Sequence, residues 1–412
     1  MVLVILFLFK YALLDTKKIQ YNQSMLKKLL ILILLGVVGA SAYLYWDYSK
    51  KRTVITPYPY SFLNSFDEKF QKDHAKEIQE AENAKILIVG DRMGKTLDPY
   101  TDNIRSQFQG LLKTPPTIYN WSADNEGLFR TIHKIKMLKK LPPIIIYFGG
   151  TSELFEKKFE IDDQKKILKN FKTFDDEKLI SLIITFPWVS KALYRDIHYQ
   201  DLGEFKEYKS NLAANAKLNE KQLTFKLFEY EVREFVDYIK DKKSNLVFIT
   251  APLNLEAEPK EVCAHAESED VIGVQQEIEA ELKEGAYKMA FPKALELSGV
   301  TFSNARSFYL LGRAAQGVGD IKTARDALMK ATVFDCANWR GNAVYNAIIK
   351  GYAQKNQINV LDFDQFMSSK LGDEGLFQDE IVPQNVFYQS MVSELGDILK
   401  KILSVNEEGV SK

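Results

Sequence analysis

Five short apolar segments are spaced along the chain, and each has the length of a β-strand. Four of them are contiguous apolar runs rather than alternations of apolar and polar residues, which is typical of strands buried on both faces of a parallel sheet. Helical patterns separate the segments, so the sequence predicts a doubly wound α/β domain. The five predicted strands are Lys85–Gly90, Thr117–Trp121, Ile144–Gly149, Leu246–Thr250 and Asn359–Asp362.

A long insertion interrupts this alternation after the third predicted strand. Residues 155–244 are charged and mostly helical in pattern, and they contain the apolar stretch Leu179–Leu193 with Pro187 and Trp188 inside it. We expect this stretch to pack on the sheet as a helix. A lid or a membrane-contacting flap is the alternative.

A second helical unit is predicted at residues 303–336, where apolar and small residues recur with the spacing of a tetratricopeptide-like helix pair. Gly312, Ala324 and Ala331 are small enough to let two antiparallel helices approach closely. A single pair cannot bury its own apolar face, because arrays of this kind need about three repeats. We therefore expect the pair to pack against the α/β domain, with peptide binding as an alternative.

An uncharged stretch of 18 residues, Leu29 to Trp46, follows Lys27 and Lys28. With about 1.5 Å of rise per residue, a helix of this length spans the hydrocarbon core of a bilayer. We expect an uncleaved, single-pass anchor in the cell (inner) membrane, with the main domain periplasmic or extracytoplasmic. A cleaved signal peptide is the alternative, since Ala40 to Ala42 has a small-x-small pattern.

These patterns predict an organisation in successive segments. Residues 1–24 are expected to be a start-site artefact or a cytoplasmic leader, because Met25 begins a conventional n-region before the anchor or signal peptide at residues 25–48. A second, short membrane segment is the alternative. Residues 49–83 form a linker that contains Pro57 and Pro59. The α/β domain then occupies residues 84–403, including both helical regions, and residues 404–412 are a tail.

Composition narrows the classes of function. Lysine and arginine together number 55, as do aspartate and glutamate, so the net charge is zero and there is no basic field for nucleic acid. The four histidines are scattered without the spacing of metal ligands. We expect no metal, no cofactor and no nucleic-acid partner. The expected partners are the membrane, through the N-terminal helix, and an envelope glycan, lipid or protein.

The chain has two cysteines, Cys263 and Cys336, which is too few for a disulfide-dense scaffold or a four-cysteine zinc site. An oxidising envelope favours a disulfide between them. The bridge would close a loop of 72 intervening residues and stabilise the fold by about 3–4 kcal/mol in the chain-entropy model. Two buried free thiols are the alternative.

Candidate chemistry follows the predicted strands, because functional groups gather at that edge of such sheets. The first strand ends in Gly90-Asp91-Arg92, and the third is followed by a Gly-Gly-Thr-Ser-Glu segment that contains Ser152. The second is followed by a loop that ends at Gly127. These segments are therefore expected to lie side by side.

A further motif lies near the end of the chain, where Phe377, Asp379 and Pro383 frame Val382. No histidine follows residue 265, so no neighbouring histidine can serve there as a base. Glu380 is a candidate base, but it needs a nucleophile. Ser122, the one hydroxyl of the Asn120–Gly127 loop, is interpreted as structural because no partner base is visible.

Together these frames resemble the sequence blocks of the SGNH (GDSL) hydrolases. In that family Gly-Asp-Ser presents the nucleophile, a glycine and an asparagine donate to the oxyanion, and Asp-x-x-His supplies the base. Here Arg92 stands at the serine position, Ser152 at the asparagine position and Val382 at the histidine position. Asp379 matches the family aspartate, and Gly127 is a loose match for the oxyanion glycine.

The resemblance covers roughly residues 84–403 and, with the helix pair before the last strand, is similar to one bacterial branch of the family. It implies a three-layer α/β/α, flavodoxin-like fold with about five parallel strands in the order 2-1-3-4-5. It does not imply activity, because function depends on the site. The residues that it places at the site are Asp91, Arg92, Gly127, Ser152 and Asp379.

Two functions fit these substitutions. The first is a non-catalytic binding or scaffold protein of the envelope, since a guanidinium at position 92 stays protonated and cannot act as a nucleophile, although it can bind a carboxylate or a phosphate. The second is an altered esterase or acyltransferase acting on envelope glycan or lipid esters. It would need Ser122 or Ser152 as nucleophile and Asp379 or Glu380 as base.

Overall fold

The computed structural model describes residues 32–43, 53–54, 72–112, 114–153, 195–196, 214–262, 268–301, 303–337, 340–373 and 375–410. These residues fall into two compact units. The smaller contains a helix over residues 32–43 and two short parallel strands, Thr53–Val54 and Arg195–Asp196. The larger contains all the other described residues.

Seven strands and thirteen α-helices are labelled in chain order within these ranges. The strands are β1 (Thr53–Val54), β2 (Ile86–Gly90), β3 (Ile118–Asn120), β4 (Ile144–Gly149), β5 (Arg195–Asp196), β6 (Asn245–Thr250) and β7 (Asn359–Leu361). The helices are α1 (residues 32–43), α2 (Ala75–Asn83), α3 (Arg92–Lys95), α4 (Thr101–Ser106), α5 (Leu128–Lys136), α6 (Ala214–Asp241), α7 (Glu269–Lys283), α8 (Tyr287–Val300), α9 (Ala305–Gly317), α10 (Ile321–Phe334), α11 (Ala343–Asn356), α12 (Phe363–Ser368) and α13 (Asn385–Val410).

The larger unit is built on a parallel sheet of five strands in the order β3-β2-β4-β6-β7. Numbered by their position along the chain, these strands have the order 2-1-3-4-5, which is the flavodoxin-like arrangement. All five predicted strands are present, and each end lies within one residue of its expected position. The prediction of a parallel α/β sheet is confirmed.

The core has two layers, one on each face of the sheet. Successive side chains of a strand point to opposite faces, so each strand contributes to both layers. Leu87 and Val89 of β2 pack with α5, α6 and α11, whereas Ile86 and Ile88 pack with α4, α12 and α13 on the opposite face. Every residue of β2 and β4 is buried. A strand that is covered on both faces needs apolar residues at odd and even positions alike. This explains why the predicted strands are contiguous apolar runs.

Part of the long insertion contributes directly to this core. Its C-terminal portion forms α6, which packs on the sheet through Phe228, Val232, Phe235 and Ile239, all fully buried. The apolar stretch Leu179–Leu193 lies outside the described residues.

The second helical region consists of four consecutive helices, α7 to α10, of which the sequence predicts only the last two. Gly312 of α9 lies so close to α10 that an added Cβ would be 2.4 Å from the Leu328 Cγ atom. Asn304 and Asp320 cap α9 and α10 by accepting hydrogen bonds from backbone amides in their first turns. The earlier pair escapes detection because α8 carries Pro292 in its interior, which is atypical of helices.

The predicted membrane segment, Leu29 to Trp46, lies only partly within the described residues. Its central part, residues 32–43, is helical and exposes large apolar side chains such as Leu32 and Leu34. Among the described residues, no helix has both the length and the hydropathy needed to cross a bilayer.

Candidate functional site

Asp91, the residue directly after β2, is the centre of the hydrogen-bond network at the carboxyl edge of the sheet. Its Oδ1 accepts from the Met93 amide at 2.9 Å and so caps α3. Its Oδ2 accepts from the amides of Gly150, Thr151 and Ser152 at 2.7–3.1 Å and from the Thr151 hydroxyl at 2.7 Å. One fully buried carboxylate therefore joins the loops that follow β2 and β4.

Two opposing effects act on the pKa of this carboxylate. Burial raises the pKa of Asp91 to about 6, and Glu153 adds to the shift. The hydrogen bonds from Thr151 and Met93 oppose it by stabilising the ionised form.

Gly90 allows this network to form. Its φ of +142° lies in a region that side chains with a Cβ rarely adopt, and an added Cβ would lie 2.0 Å from the Phe148 carbonyl oxygen of β4. No other residue type brings the two strand ends as close together.

Arg92 and Asp379 form an ion pair at the mouth of the site. The Arg92 guanidinium donates to the Asp379 Oδ2 atom at 2.5 Å, and both side chains are close to half exposed. The pKa of Asp379 is lowered, because hydrogen bonds from the Val382 and Ile381 amides, together with Arg92, outweigh the effect of burial. The predicted site residues at positions 92 and 379 are therefore brought into direct contact.

Asp379 also shapes the loop that contains it, which we call the 377–383 hairpin. Its Oδ1 accepts from the amides of Ile381 and Val382 at 2.8 and 2.7 Å, and the Gln378 amide donates to the Val382 carbonyl at 2.8 Å. Val382 is buried, at 7% exposure. Val382, which the sequence analysis matches to the histidine of the SGNH hydrolases, is thus an apolar side chain that is withdrawn from solvent.

A second ion pair attaches the 377–383 hairpin to the loop that follows β6. The Lys260 Nζ atom lies 2.6 Å from the Glu380 Oε2 atom. Glu380, the candidate base, is thus engaged by an ammonium group rather than placed beside a hydroxyl. Two ion pairs therefore hold the hairpin, one with Arg92 and one with Lys260.

Ser152, one candidate nucleophile of the sequence analysis, is buried, and Ser122, the other, is half-buried with its hydroxyl oxygen buried. The Ser122 hydroxyl packs against Gly94 of α3, where an added Cβ would lie 2.1 Å from it, and it has no hydrogen-bond partner among the described residues. Ser152 is 3% exposed, and its amide is bound to Asp91. Neither serine has the open approach that a nucleophile needs.

Gly127 lies at the start of α5, where it is the N-cap residue. The next amide, that of Leu128, donates to the buried Glu153 carboxylate at 2.6 Å. The predicted oxyanion glycine and the loop of Ser152 are thus linked through a carboxylate at a helix N-terminus, a position that favours negative charge.

The structure places every predicted site residue at one edge of the sheet, on the loops after β2, β3 and β4 and on the 377–383 hairpin. Sequence reasoning missed Thr151, Glu153 and Lys260, which hold these loops together. Thr151 and Glu153 belong to the recognised Gly-Gly-Thr-Ser-Glu segment, so their hydrogen-bonding groups were a usable signal. Lys260 lies in a loop without a motif, and nothing in the sequence marks it.

No group of three or more His, Cys, Asp or Glu side chains within the described ranges is arranged to hold a metal ion. Of the two cysteines, Cys336 is buried at 7% exposure, and Cys263 lies outside the described residues. The backbone pairs Val262 with Asp335, and the Cys336 amide donates to the Glu261 carbonyl at 3.0 Å. The chain on the N-terminal side of residue 263 therefore runs beside Cys336.

Comparison with known proteins gives a likeness in structure and none in sequence. No protein-family model matches the chain, and no curated protein matches it with significance. A proposed acylhydrolase from Bacteroides fragilis is similar in structure, with 12% identity, a TM-score of 0.35, and coverage of 81% of this chain and 96% of that one. A GDSL-like lipase from Bacteroides thetaiotaomicron is also similar in structure, with 10% identity, a TM-score of 0.33, and coverage of 82% of this chain and 98% of that one.

The lipase/acylhydrolase from Enterococcus faecalis is similar at 10% identity and a TM-score of 0.31, over 77% of this chain and 95% of that one. Because these TM-scores are below 0.5, the fold is assigned from the strand order and the loops at its carboxyl edge. By description, all three of these proteins are acylhydrolases or GDSL-like lipases.

Proposed function

We propose that this chain is an SGNH hydrolase-like protein that does not hydrolyse esters and acts instead as a binding or scaffold protein of the cell envelope. The ion pair between Arg92 and Asp379 carries the proposal. It joins the position at which the resembled family has its nucleophile to the carboxylate that would orient its base.

The chemistry of the pair supports this reading. A guanidinium is protonated at every working pH and cannot attack an acyl carbon. Asp379 retains its place but has no imidazole to orient, because Val382 is buried and apolar. Covalent acyl transfer needs an activated nucleophile and a base within hydrogen-bond reach, and neither group is present at these positions.

The surroundings of the two serines argue against the altered esterase. The Ser122 hydroxyl is packed against Gly94, and Ser152 is covered, so an ester carbonyl has no route to either oxygen. Glu380 is paired with the Lys260 ammonium group.

Labelling with a fluorophosphonate probe tests the proposal, alongside hydrolysis of p-nitrophenyl acetate by the full-length chain. We expect no covalent label and no hydrolysis above that of heat-denatured protein. The Arg92→Ala variant removes the guanidinium that pairs with Asp379. We expect it to remain inactive, because alanine supplies no nucleophile. Label or turnover in the wild type that Ser122→Ala or Ser152→Ala abolishes would establish the esterase instead.

The envelope location is part of the same proposal. The apolar stretch Leu29 to Trp46, preceded by Lys27 and Lys28, supports a single-pass anchor that leaves the α/β domain outside the cytoplasm. Protease treatment of spheroplasts is expected to degrade the α/β domain while a cytoplasmic marker survives. Recovery of an intact chain in the soluble cytoplasmic fraction would contradict the anchor.

A further inference from the structure

A cavity of about 620 Å³ lies in the four-helix region and is lined by residues of α7, α9 and the start of α8. This volume is in the range of sites that hold small ligands or the end of a peptide. The cavity also takes Glu258 from the loop after β6. Its walls combine charged and apolar side chains.

Three cationic side chains line the cavity, and they differ in whether a carboxylate pairs with them. Arg306 is paired, since its Nε donates to the Glu279 Oε1 atom at 2.6 Å and its Nη1 lies 3.8 Å from Glu258. Within the described part of the chain, Arg313 donates to the amide oxygen of Gln316 at 3.0 Å and forms no ion pair, and neither does Lys283. The lining holds three cations and two carboxylates, so its net charge is +1, and Arg313 and Lys283 are the cations that attract an anion.

The apolar part of the lining lies beside these charges. The Tyr287 ring packs flat against Gly317, where an added Cβ would lie 2.1 Å from it, and the ring keeps 38% exposure. Leu282 and Leu310 complete this wall. A ligand that contacts both the wall and the free cations must carry a negative charge next to an apolar group.

We propose that this cavity binds a carboxylate attached to an apolar or aromatic group, as found at the C-terminus of a peptide or in a medium-length fatty acid. Arg313 and Lys283 bind the carboxylate, and Tyr287 and Leu310 contact the apolar group. Guanidinium and ammonium groups make charge-assisted hydrogen bonds to carboxylates, the stronger class of hydrogen bond. The proposal does not depend on whether the site near Asp91 is catalytic.

Isothermal titration calorimetry with the full-length chain tests it, using three probes. These are the peptide acetyl-Ala-Leu-Phe with a free carboxylate, the same peptide as the C-terminal amide, and octanoate. We expect the free acid to bind at least about tenfold more tightly than the amide, the ratio that one charged hydrogen bond supplies. Binding of the peptide acid alone identifies a chain end as the ligand, and binding of octanoate identifies a free acid.

Variants locate the site. Arg313→Gln and Lys283→Gln are each expected to weaken binding about tenfold, whereas Arg313→Lys keeps the charge and most of the affinity. Lys322→Gln is the matched control, because Lys322 is an exposed lysine of α10 outside the cavity. Lys283 is itself exposed, so its replacement does not disturb folding. Equal binding of acid and amide, or no binding of any probe at millimolar concentration, overturns the proposal.

Discussion

Asp91 concentrates more hydrogen bonds in one side chain than any other residue discussed above. Asp91→Ala leaves four amides and the Thr151 hydroxyl without their acceptor. We expect the free energy of unfolding to fall by about 3–5 kcal/mol, since buried groups left unsatisfied are among the costliest changes. Asp91→Asn keeps one oxygen for the loop after β4 and should lose less. Urea denaturation measures both.

Asp102→Ala serves as the control for this comparison. Asp102 pairs with Arg105 on the surface of α4 with a side chain that is 83% exposed. Its replacement is expected to change the free energy of unfolding by less than about 1 kcal/mol. A cost for Asp91→Ala no larger than that of the control would mean that the loops hold together without the carboxylate.

His133 makes stability depend on pH. The ring is 5% exposed and its Nδ1 is 2.9 Å from the Phe129 carbonyl oxygen. Burial lowers the pKa of His133 from 6.5 to about 4, so the unfolded chain takes up the proton at a higher pH than the folded one. Its contribution is present above pH 6.5 and is lost as pH falls towards 4, by about 3 kcal/mol in total.

His133→Phe removes this titration and keeps an aromatic ring against Phe129. We expect the variant to lose less stability than the wild type between pH 7 and pH 4, with urea denaturation at each pH as the measurement. Parallel pH profiles for the two proteins would contradict the assignment.

At the scale of elements, two glycines of the helical regions should respond to alanine in opposite directions. Gly312 lies against α10, and an added Cβ would meet the Leu328 side chain at 2.4 Å and the Ala324 carbonyl oxygen at 3.3 Å. We expect Gly312→Ala to destabilise the chain by about 1–3 kcal/mol through overpacking. Gly351 lies on an exposed part of α11 with no atom within 4 Å, so Gly351→Ala should stabilise by about 0.5–1 kcal/mol.

Thermal denaturation of both variants checks this difference in sign. A stabilising Gly312→Ala would show that α9 and α10 are separated more widely than the structure has them.

Elements with simple periodicity were predictable from the sequence, and those shaped by tertiary contacts were not. The runs at Ile86–Gly90 and Ile144–Gly149 show burial on both faces, and so they predicted both the strands and the parallel sheet. The helix α8 was missed because an interior proline masks its pattern. The contact of Arg92 with Asp379 spans 287 positions, and no local pattern encodes a pairing over that distance.

At the scale of the whole molecule, the predicted disulfide between Cys263 and Cys336 would tie the loop after β6 to the end of α10. The pairing of Val262 with Asp335 supports it by bringing these two segments together. Cys336→Ser is expected to lower the free energy of unfolding by about 2–4 kcal/mol. The double variant with Cys263→Ser should be no less stable than the single one. Dithiothreitol should destabilise only the wild type.

Alkylation followed by mass spectrometry gives a direct measurement. Envelope-purified wild type, denatured without reductant, is expected to take up no alkyl groups. Two alkyl groups per chain under those conditions would establish free thiols.

Backbone hydrogen bonds shape the 377–383 hairpin, whereas two ion pairs and the burial of Val382 hold it in position. Hydrogen bonds from backbone amides form the turn around Asp379, and these are nearly indifferent to dissolved salt. The two ion pairs that attach it, from Arg92 and Lys260, involve side chains that are 40–59% exposed. The screening length falls from about 10 Å at 0.1 M salt to about 3 Å at 1 M. High ionic strength therefore weakens the charged part of this hairpin's attachment, while its backbone hydrogen bonds and the burial of Val382 persist.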